Sequence, residues 1–444
     1  MANERAEVAG PLDAFRQFFS LQRDVLVLSL AMFAFSLGFQ MTNRFLPDYL
    51  VYLGAGGFVV GLFSTLGNVI GAVYPYYGGV VSDRVGSRYA LTVFGFLSTF
   101  GFAIWLASAF VDPMDLGVVV VEPWLWVFVG LLLAQCWKSF GIGGHYAIVK
   151  QATEPDRLAR GFASTETFRR TAFLIAPLIV AALVADELVP GFLWVLVIAI
   201  AFAILGTVAQ HYLYDAEADT VGDEFQGVGQ IVDDLRAMPE PLRPLLVADV
   251  FVRFANGMVY AFFILVVTQL LEVGLTVTLP AVGTIDLAPA AFFGVLLSVE
   301  MLVALLTMAP MAKVAEYTGL KPVVGLGFFV YAIFPVVLIF APQYVEAIDV
   351  RWLLIALFAF SGLRFAGLPA HKALIVGPAE RGAGGRVTGS YYLVRGALVV
   401  PSGALGGYLW EFASPELSFT IATIVGMVGV VYFAVFGREF DAYR

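Results

Sequence analysis

The sequence predicts an all-α integral membrane protein with twelve transmembrane helices in two pseudo-symmetric six-helix bundles. Three observations predict this class: long apolar stretches, an uneven distribution of basic residues between the connecting loops, and a pattern that recurs in both halves of the chain. Of the 444 residues, 60% are hydrophobic and 13% are charged, whereas soluble domains contain about 45–50% apolar and about 25% charged residues. This composition excludes a soluble globular protein, a disordered chain and a nucleic-acid-binding protein.

Twelve apolar stretches are long enough to form spanning helices. The hydrocarbon layer is about 30 Å thick and requires about 20 apolar residues in a helix. The stretches lack the period-2 alternation of a membrane β-barrel, which argues against strands. They cover residues 25–53, 57–82, 89–110, 123–149, 161–183, 189–213, 245–271, 289–314, 322–340, 352–376, 387–410 and 417–436.

The distribution of Lys and Arg predicts the orientation of the chain. Loops on the cytoplasmic side of a membrane carry an excess of these residues. With twelve spans, both termini and almost all Lys and Arg residues of the loops lie on one side of the membrane. The loops on the other side contain Arg351 among several acidic residues. We therefore predict cytoplasmic N- and C-termini in a multi-pass protein of the plasma membrane.

The longest internal polar stretch divides the chain into two halves. Its acidic composition and three prolines predict a cytoplasmic linker at residues 214–244. The remaining predicted segments are a cytoplasmic N-terminal segment 1–23, an N-terminal six-helix bundle 24–213, a C-terminal six-helix bundle 245–437 and a cytoplasmic tail 438–444.

Two short patterns occur at corresponding places in both halves, which indicates an internal duplication. The first follows spans two and eight and comprises Gly79, Asp83, Arg84, Gly86 and Arg88 in one copy, and Glu316, Gly319 and Lys321 in the other. The second lies in spans four and ten and comprises Lys138, Gly141 and His145, and Arg364, Gly367 and His371.

The first pattern resembles the loop signature of the major facilitator superfamily, Gly-x-x-x-Asp-Arg/Lys-x-Gly-Arg/Lys-Arg/Lys. Gly79, Asp83, Arg84, Gly86 and Arg88 fit it, and Ser87 replaces the first of the two closing bases. The degenerate second copy and the span plan resemble the same family. The resemblance implies a secondary transporter that works by alternating access, with these residues as a gating motif near the cytoplasmic surface.

Ionisable side chains inside the apolar stretches are the strongest indication of a functional site. Each costs about 2.5–3.5 kcal/mol at a helix centre and requires a water-filled cavity or a partner of opposite charge. Seven are basic and three acidic: Arg44, Lys138, Arg169, Arg170, Arg253, Arg364 and Arg395, with Glu166, Asp249 and Glu300. The positive excess favours an anionic or polar organic substrate, and the planar guanidinium group matches carboxylate and phosphate.

In the family that the chain resembles, spans one, four, seven and ten line the central cavity. The predicted cavity residues are Gln40, Asn43, Arg44, Lys138, Arg170, Arg253, Asn256, Arg364, Tyr391 and Arg395. Lys138 and Arg364 are expected to face each other across the cavity. The i,i+4 pairs Glu166–Arg170 and Asp249–Arg253 share helix faces, so internal ion pairs are the alternative interpretation for them.

Glu300 is the first candidate for a coupling proton site, and Asp249 is the second. No base lies three or four residues from Glu300 along the helix. A carboxyl group in apolar surroundings favours its neutral form and can exchange a proton. The alternative is a protonated carboxyl group hydrogen-bonded to a neighbouring helix.

The sequence predicts a transporter rather than an enzyme, because it contains no HExxH, GxSxG or phosphate-cradling motif. The alternatives are a multidrug/proton efflux antiporter and a non-transporting membrane sensor on the same fold. We expect a small-molecule substrate, a coupling proton and the lipid bilayer as partners, no cofactor, metal or nucleic acid, and a functional monomer.

Overall fold

The structure is a computed structural model of the 444-residue chain. It describes residues 23–115, 117, 120–140, 158–184, 188–214, 236, 240, 242–279, 283–376 and 384–439. Within these ranges the side chains of several residues, among them Asp83, Arg84, Glu166 and Glu316, are not described. Most of the predicted linker 214–244 also lies outside the described residues.

The described N-terminal half, residues 23–214, is built from apolar helices. Pro47 lies in the first turn of the second helix, where its missing N–H costs nothing, and the predicted first span is therefore divided at Arg44. The helices are α1 Arg23–Asn43, α2 Leu46–Tyr52, α3 Gly57–Val85, α4 Ser87–Ala107, α5 Trp124–Ala134, α6 Leu158–Leu183 and α7 Leu188–Leu213, and Cys136–Phe140 continues α5 as a π-helical segment.

The described C-terminal half, residues 242–439, contains three interrupted stretches. Short 3₁₀ segments at Tyr260–Phe262 and Leu363–Phe365 and a π-helical segment at Val266–Leu270 divide predicted spans seven and ten, and Pro401 lies at the break in span eleven. The helices are α8 Leu242–Val259, α9 Phe263–Leu265, α10 Pro289–Thr318, α11 Leu320–Tyr344, α12 Val350–Gly362, α13 Leu368–Val376, α14 Gly384–Val399, α15 Ser402–Phe412 and α16 Pro415–Phe436.

Length and composition identify fewer spans than the sequence predicted. Among the described residues, eight helices are long and apolar enough to cross a membrane, and Trp124–Phe140 is a shorter apolar helix. The other three predicted stretches are α6, which carries intramembrane charges, and the two interrupted stretches α12–α13 and α14–α15. The number twelve therefore stays a prediction.

Two small antiparallel hairpins connect helices, and the sequence analysis did not predict them. β1 Met114–Asp115 pairs with β2 Val120–Val121, and β3 Leu275–Leu279 pairs with β4 Gly283–Leu287. Both hairpins follow apolar stretches on the predicted extracellular side. Leu275 and Leu287 of the second hairpin pack against the main hydrophobic core.

Glycine residues allow the helices of the two halves to approach closely. α3 packs against α15, and α6 packs against α10. A Cβ atom at Gly61 would collide with the backbone of Gly403 and Gly407, and a Cβ atom at Gly294 would collide with the Pro177 carbonyl. The small residues permit backbone contact between helices, as in other membrane proteins.

Candidate functional site: charged clusters at the helix breaks

The first charged cluster contains Arg44, Glu300 and Arg364, gathered around Tyr260. Arg364 Nη2 donates to Glu300 Oε1 at 2.5 Å, and the two side chains are almost completely buried. The Arg44 guanidinium lies 3.9 Å from the centre of the Tyr260 ring, and that of Arg364 lies 5.8 Å from it. The charge of Arg44 also acts on Glu300 and Arg364. The cluster therefore brings together one arginine of the N-terminal half and an ion pair of the C-terminal half.

The helix breaks explain how these side chains reach the interior. Arg44 lies between α1 and α2, Tyr260 begins one 3₁₀ segment, and Arg364 is the middle residue of another. Irregular backbone at membrane depth is tolerated where it is enclosed by protein or lines a cavity. Aromatic rings enclose Arg364: its guanidinium lies 4.8 Å from the centre of the Phe365 ring and 5.1 Å from that of Tyr331. Such contacts stabilise a desolvated cation.

Each member of this cluster keeps one polar atom without a hydrogen-bond partner. These buried atoms are Arg44 Nη1, Glu300 Oε2 and Arg364 Nε. Buried polar atoms are almost always satisfied in folded proteins, and an unmet donor or acceptor costs about 1–3 kcal/mol. These atoms are two donors and one acceptor that bound ligands could satisfy.

The second cluster is centred on the buried carboxylate of Asp249. Its Oδ1 accepts from Arg253 Nε at 3.2 Å, and its Oδ2 accepts from Tyr391 Oη at 3.0 Å and Arg395 Nη1 at 3.1 Å. His371 Nε2 lies 3.3 Å from the same Oδ2, but without hydrogen-bond geometry. These residues connect α8, α13 and α14 within the C-terminal half. The predicted i,i+4 pair Asp249–Arg253 is present and belongs to a larger network.

Lys138 lies in the π-helical segment of the N-terminal half and is exposed. Its Nζ is 5.6 Å from the centre of the Phe39 ring, and the charged residue that acts on it is Arg169. That Lys138 and Arg364 face each other across a cavity stays a prediction, and Arg364 is itself paired with Glu300. The pairing was missed in the sequence because its two members lie on different helices.

The remaining predicted cavity residues are less informative. The side chains of Gln40, Asn43 and Asn256 are half-buried and make no hydrogen bonds with other described residues. Arg170 is half-buried and has interactions of its own, whereas the side chain of its predicted partner Glu166 is not described. No group of three or more His, Cys, Asp or Glu side chains that could hold a metal occurs in the described part of the chain.

The two copies of the predicted gating motif share a backbone feature. Gly86 precedes α4 with φ +84°, and Gly319 precedes α11 with φ +88°, a conformation that favours glycine. In the second copy, Glu439 accepts hydrogen bonds from the backbone N–H groups of Leu320 at 3.0 Å and Lys321 at 2.8 Å. The side chains of Asp83, Arg84 and Glu316 and the surroundings of Gly79 lie outside the described residues.

At the predicted extracellular end, polar contacts join the two halves. Gly57 N donates to Glu411 Oε2 at 2.6 Å. Asp48 is buried, and its Oδ1 accepts from Thr268 Oγ1 at 3.0 Å and Gln269 Nε2 at 3.3 Å. The sequence analysis did not single out Asp48, although a carboxylate immediately after Pro47 inside an apolar stretch was a usable signal. The two halves are therefore in contact at this end.

We expect a bulky residue at Gly61 to separate the two halves at this end. Gly61→Ile would press against the backbone of α15, and overpacking of this kind costs about 1–3 kcal/mol. The reporter is Thr65→Cys in a protein whose Cys136 is replaced by Ser. Residue 65 lies in the same contact, where Thr65 Oγ1 accepts from Ala404 N at 2.7 Å. In the Gly61→Ile variant, labelling of this thiol should become roughly tenfold faster or more.

The matched control is Gly71→Ile on the same helix, because a Cβ atom at Gly71 meets nothing within 4 Å. This control should label at the rate of the Thr65→Cys parent. Equal labelling rates for Gly61→Ile and Gly71→Ile would show that the contact of Gly61 with α15 does not hold the two halves together.

Comparisons with known proteins agree with the resemblance to the major facilitator superfamily that the sequence motifs indicate. No family model matches the chain. An uncharacterized MFS-type transporter of Methanocaldococcus jannaschii is 22% identical over 409 residues, which cover 92% of this chain and 93% of the relative. The solved structure of the nucleoside transporter NupG, as a variant, superposes with a TM-score of 0.72 at 12% identity, covering 94% of this chain and 100% of that one.

A peptide transporter of the POT type, solved as a variant with sulfate, superposes with a TM-score of 0.70 at 16% identity and covers 96% of this chain and 99% of its own. A POT family transporter in complex with 5-aminolevulinic acid gives a TM-score of 0.70 at 14% identity over 95% of this chain and 98% of its own. These relatives are transporters and not enzymes. With eight membrane-length helices among the residues that the structure describes, the chain is a multi-pass membrane protein.

Proposed function

Because the chain has the fold of major facilitator transporters, we propose that it is a secondary active transporter of a small anionic or polar organic solute. It works by alternating access around the Arg44–Glu300–Arg364 cluster. The observation that carries this proposal is the pair of buried polar atoms, Arg44 Nη1 and Glu300 Oε2, that lack partners where the two halves meet. We also propose the complete plan of twelve spans in two six-helix bundles, 24–213 and 245–437, joined by a cytoplasmic linker.

The charge and geometry of the cluster support an anionic substrate. Arg44 and Arg364 approach the same Tyr260 ring from different halves, so an anion bound between them would connect the halves. A guanidinium group binds carboxylate or phosphate through two parallel hydrogen bonds. Among the structural neighbours, two transporters of the POT type were solved with sulfate and with 5-aminolevulinic acid.

Glu300 supports a simple form of proton coupling. While it is ionised, it holds Arg364 in the 2.5 Å ion pair. Protonation would weaken that pair and leave Arg364 free to bind the substrate anion, so proton and anion would move together. Asp249 is less suited to this role, because two arginines and a tyrosine already stabilise its ionised form.

Uptake into proteoliposomes tests the proposal directly. We expect an imposed pH gradient to drive accumulation of at least one compound from a panel of organic anions, sugars and cationic dyes. A response confined to cationic dyes would support the multidrug/proton antiporter alternative instead. The complete absence of transport from the panel would favour the membrane sensor. The plasma membrane, cytoplasmic termini and a functional monomer are further parts of the proposal.

We expect Glu300→Gln to retain solute exchange but to lose accumulation driven by the pH gradient. Glutamine keeps the shape of the side chain and cannot exchange a proton. Counterflow of labelled solute measures exchange, and uptake against a concentration gradient measures coupling. Glu346→Gln, at an exposed position, is the control and should retain both activities. Continued proton-driven accumulation by Glu300→Gln would exclude Glu300 as the coupling group.

A further inference from the structure

A small cavity lies inside the C-terminal half, between the two charged clusters. It contains about 210 Å³ of empty space, and Arg253, Arg364 and His371 contribute its charged and titratable lining. The other walls come from α11 and from the break between α12 and α13, with Gly327 and Gly367 facing each other. Part of this space is open solvent, and the enclosed part has room for about one water-sized particle, so the cavity suits a small ion rather than the transported solute.

The polar atoms around the cavity are incompletely satisfied. Arg364 is 2% exposed and His371 is 4% exposed, and both belong to the lining. Arg364 Nε and His371 Nε2 are buried without a hydrogen-bond partner. The side of Arg364 that does not contact Glu300 therefore keeps an unused N–H group at the wall of this cavity.

The fixed charges around the cavity favour an anion. Arg253, Arg364 and Arg395 outnumber the two carboxylates of Asp249 and Glu300. The carboxylate nearest to His371 is that of Asp249, and it already binds two arginines. An uncompensated positive charge in a low-dielectric interior is costly and is stabilised by a counter-ion.

We propose that this cavity binds one halide-sized anion, chloride, beside Arg364 Nε and His371. Bound chloride compensates the excess positive charge and holds α11 against the break between α12 and α13. The site is separate from the Arg44–Tyr260 side of Arg364, where the proposed substrate binds. It does not depend on the proposed function and is tested without any transported solute.

The test compares the melting temperature of the purified full chain in sodium chloride, bromide and gluconate at equal ionic strength. Chloride and bromide should raise it saturably, since a ligand that binds only the folded state stabilises that state, whereas gluconate is too large to enter. Equal melting temperatures in chloride and gluconate would overturn the proposal.

Two neighbouring glycines of α11 supply a matched pair of variants. Gly327→Ala adds a methyl group to the cavity wall, with its Cβ 3.2 Å from the Arg364 carbonyl oxygen, whereas a Cβ at Gly325 meets nothing within 4 Å. Gly327→Ala should weaken the apparent chloride affinity roughly tenfold or more, and Gly325→Ala should leave it unchanged. Unchanged affinity in both variants would contradict the proposed location.

Bromide diffraction gives a readout that does not depend on any variant. Crystals of the unmodified protein grown in bromide should show one anomalous peak within hydrogen-bond distance of Arg364 Nε. Bromide peaks confined to the protein surface, or a water molecule in the cavity with no anomalous signal, would overturn the proposal.

Discussion

Replacing Asp249 by Asn should destabilise the protein by about 3–5 kcal/mol, the usual cost of breaking a buried ion pair by removing one partner. The carboxylate is completely buried and binds Arg253, Tyr391 and Arg395. Without its charge, two arginines are left uncompensated in a low-dielectric interior. The expected result is a large fall in the melting temperature and in the yield of monodisperse protein.

Two further variants separate this electrostatic explanation from a loss of packing. Asp112→Asn changes an exposed loop residue in the same way and should behave as the unmodified protein. Arg395→Gln added to Asp249→Asn removes one of the two uncompensated charges and should restore part of the stability. A double variant less stable than Asp249→Asn alone would contradict the explanation.

The second large effect is expected at Arg44, whose replacement by Gln should lower solute affinity by roughly 10–150-fold. This range corresponds to the loss of one charge-assisted hydrogen bond of about 1.5–3 kcal/mol. Arg44 is buried against Tyr260 and has an unpartnered Nη1, so its removal breaks no ion pair and the fold should survive. Uptake kinetics in proteoliposomes, with melting temperature as a check on folding, measure the effect.

Arg44→Lys and Arg351→Gln complete the test of Arg44. Lysine keeps the charge but loses the planar fork, and we expect an intermediate affinity. Arg351 is exposed, and its Nε donates to the Gly274 carbonyl at 3.1 Å, so Arg351→Gln should transport normally. Normal solute affinity in Arg44→Gln would show that the N-terminal half does not contribute to the proposed site.

The general class of the protein could be predicted because membrane insertion acts on local sequence. Each span needs enough apolar length by itself, and each charge inside a span is costly wherever it occurs. The Asp249–Arg253 pair could be anticipated for the same reason, since residues four apart on one helix are neighbours. The positive φ at Gly86 and Gly319 likewise concerns residues that the repeated pattern had already singled out.

The details of the site could not be predicted, because they depend on packing between helices distant in sequence. The Glu300–Arg364 pair joins α10 to a 3₁₀ segment, and nothing in either stretch indicates its partner. The breaks at Tyr260 and Arg364 were read as parts of continuous spans, since apolar composition does not reveal a local change of helix type. The apolar stretch around Asp48 indicates a costly charge but not its partners, because Thr268 and Gln269 belong to the other half.

The most direct test of the account is a double-mutant cycle of solute affinity with Arg44→Gln and Arg364→Gln, using the compound identified in the uptake screen. Each single variant should lower the affinity at least about tenfold, and the double variant should lose less than the sum of the two effects, because residues that share a ligand are coupled. Affinities equal to that of the unmodified protein in both single variants would contradict a binding site shared by the two halves.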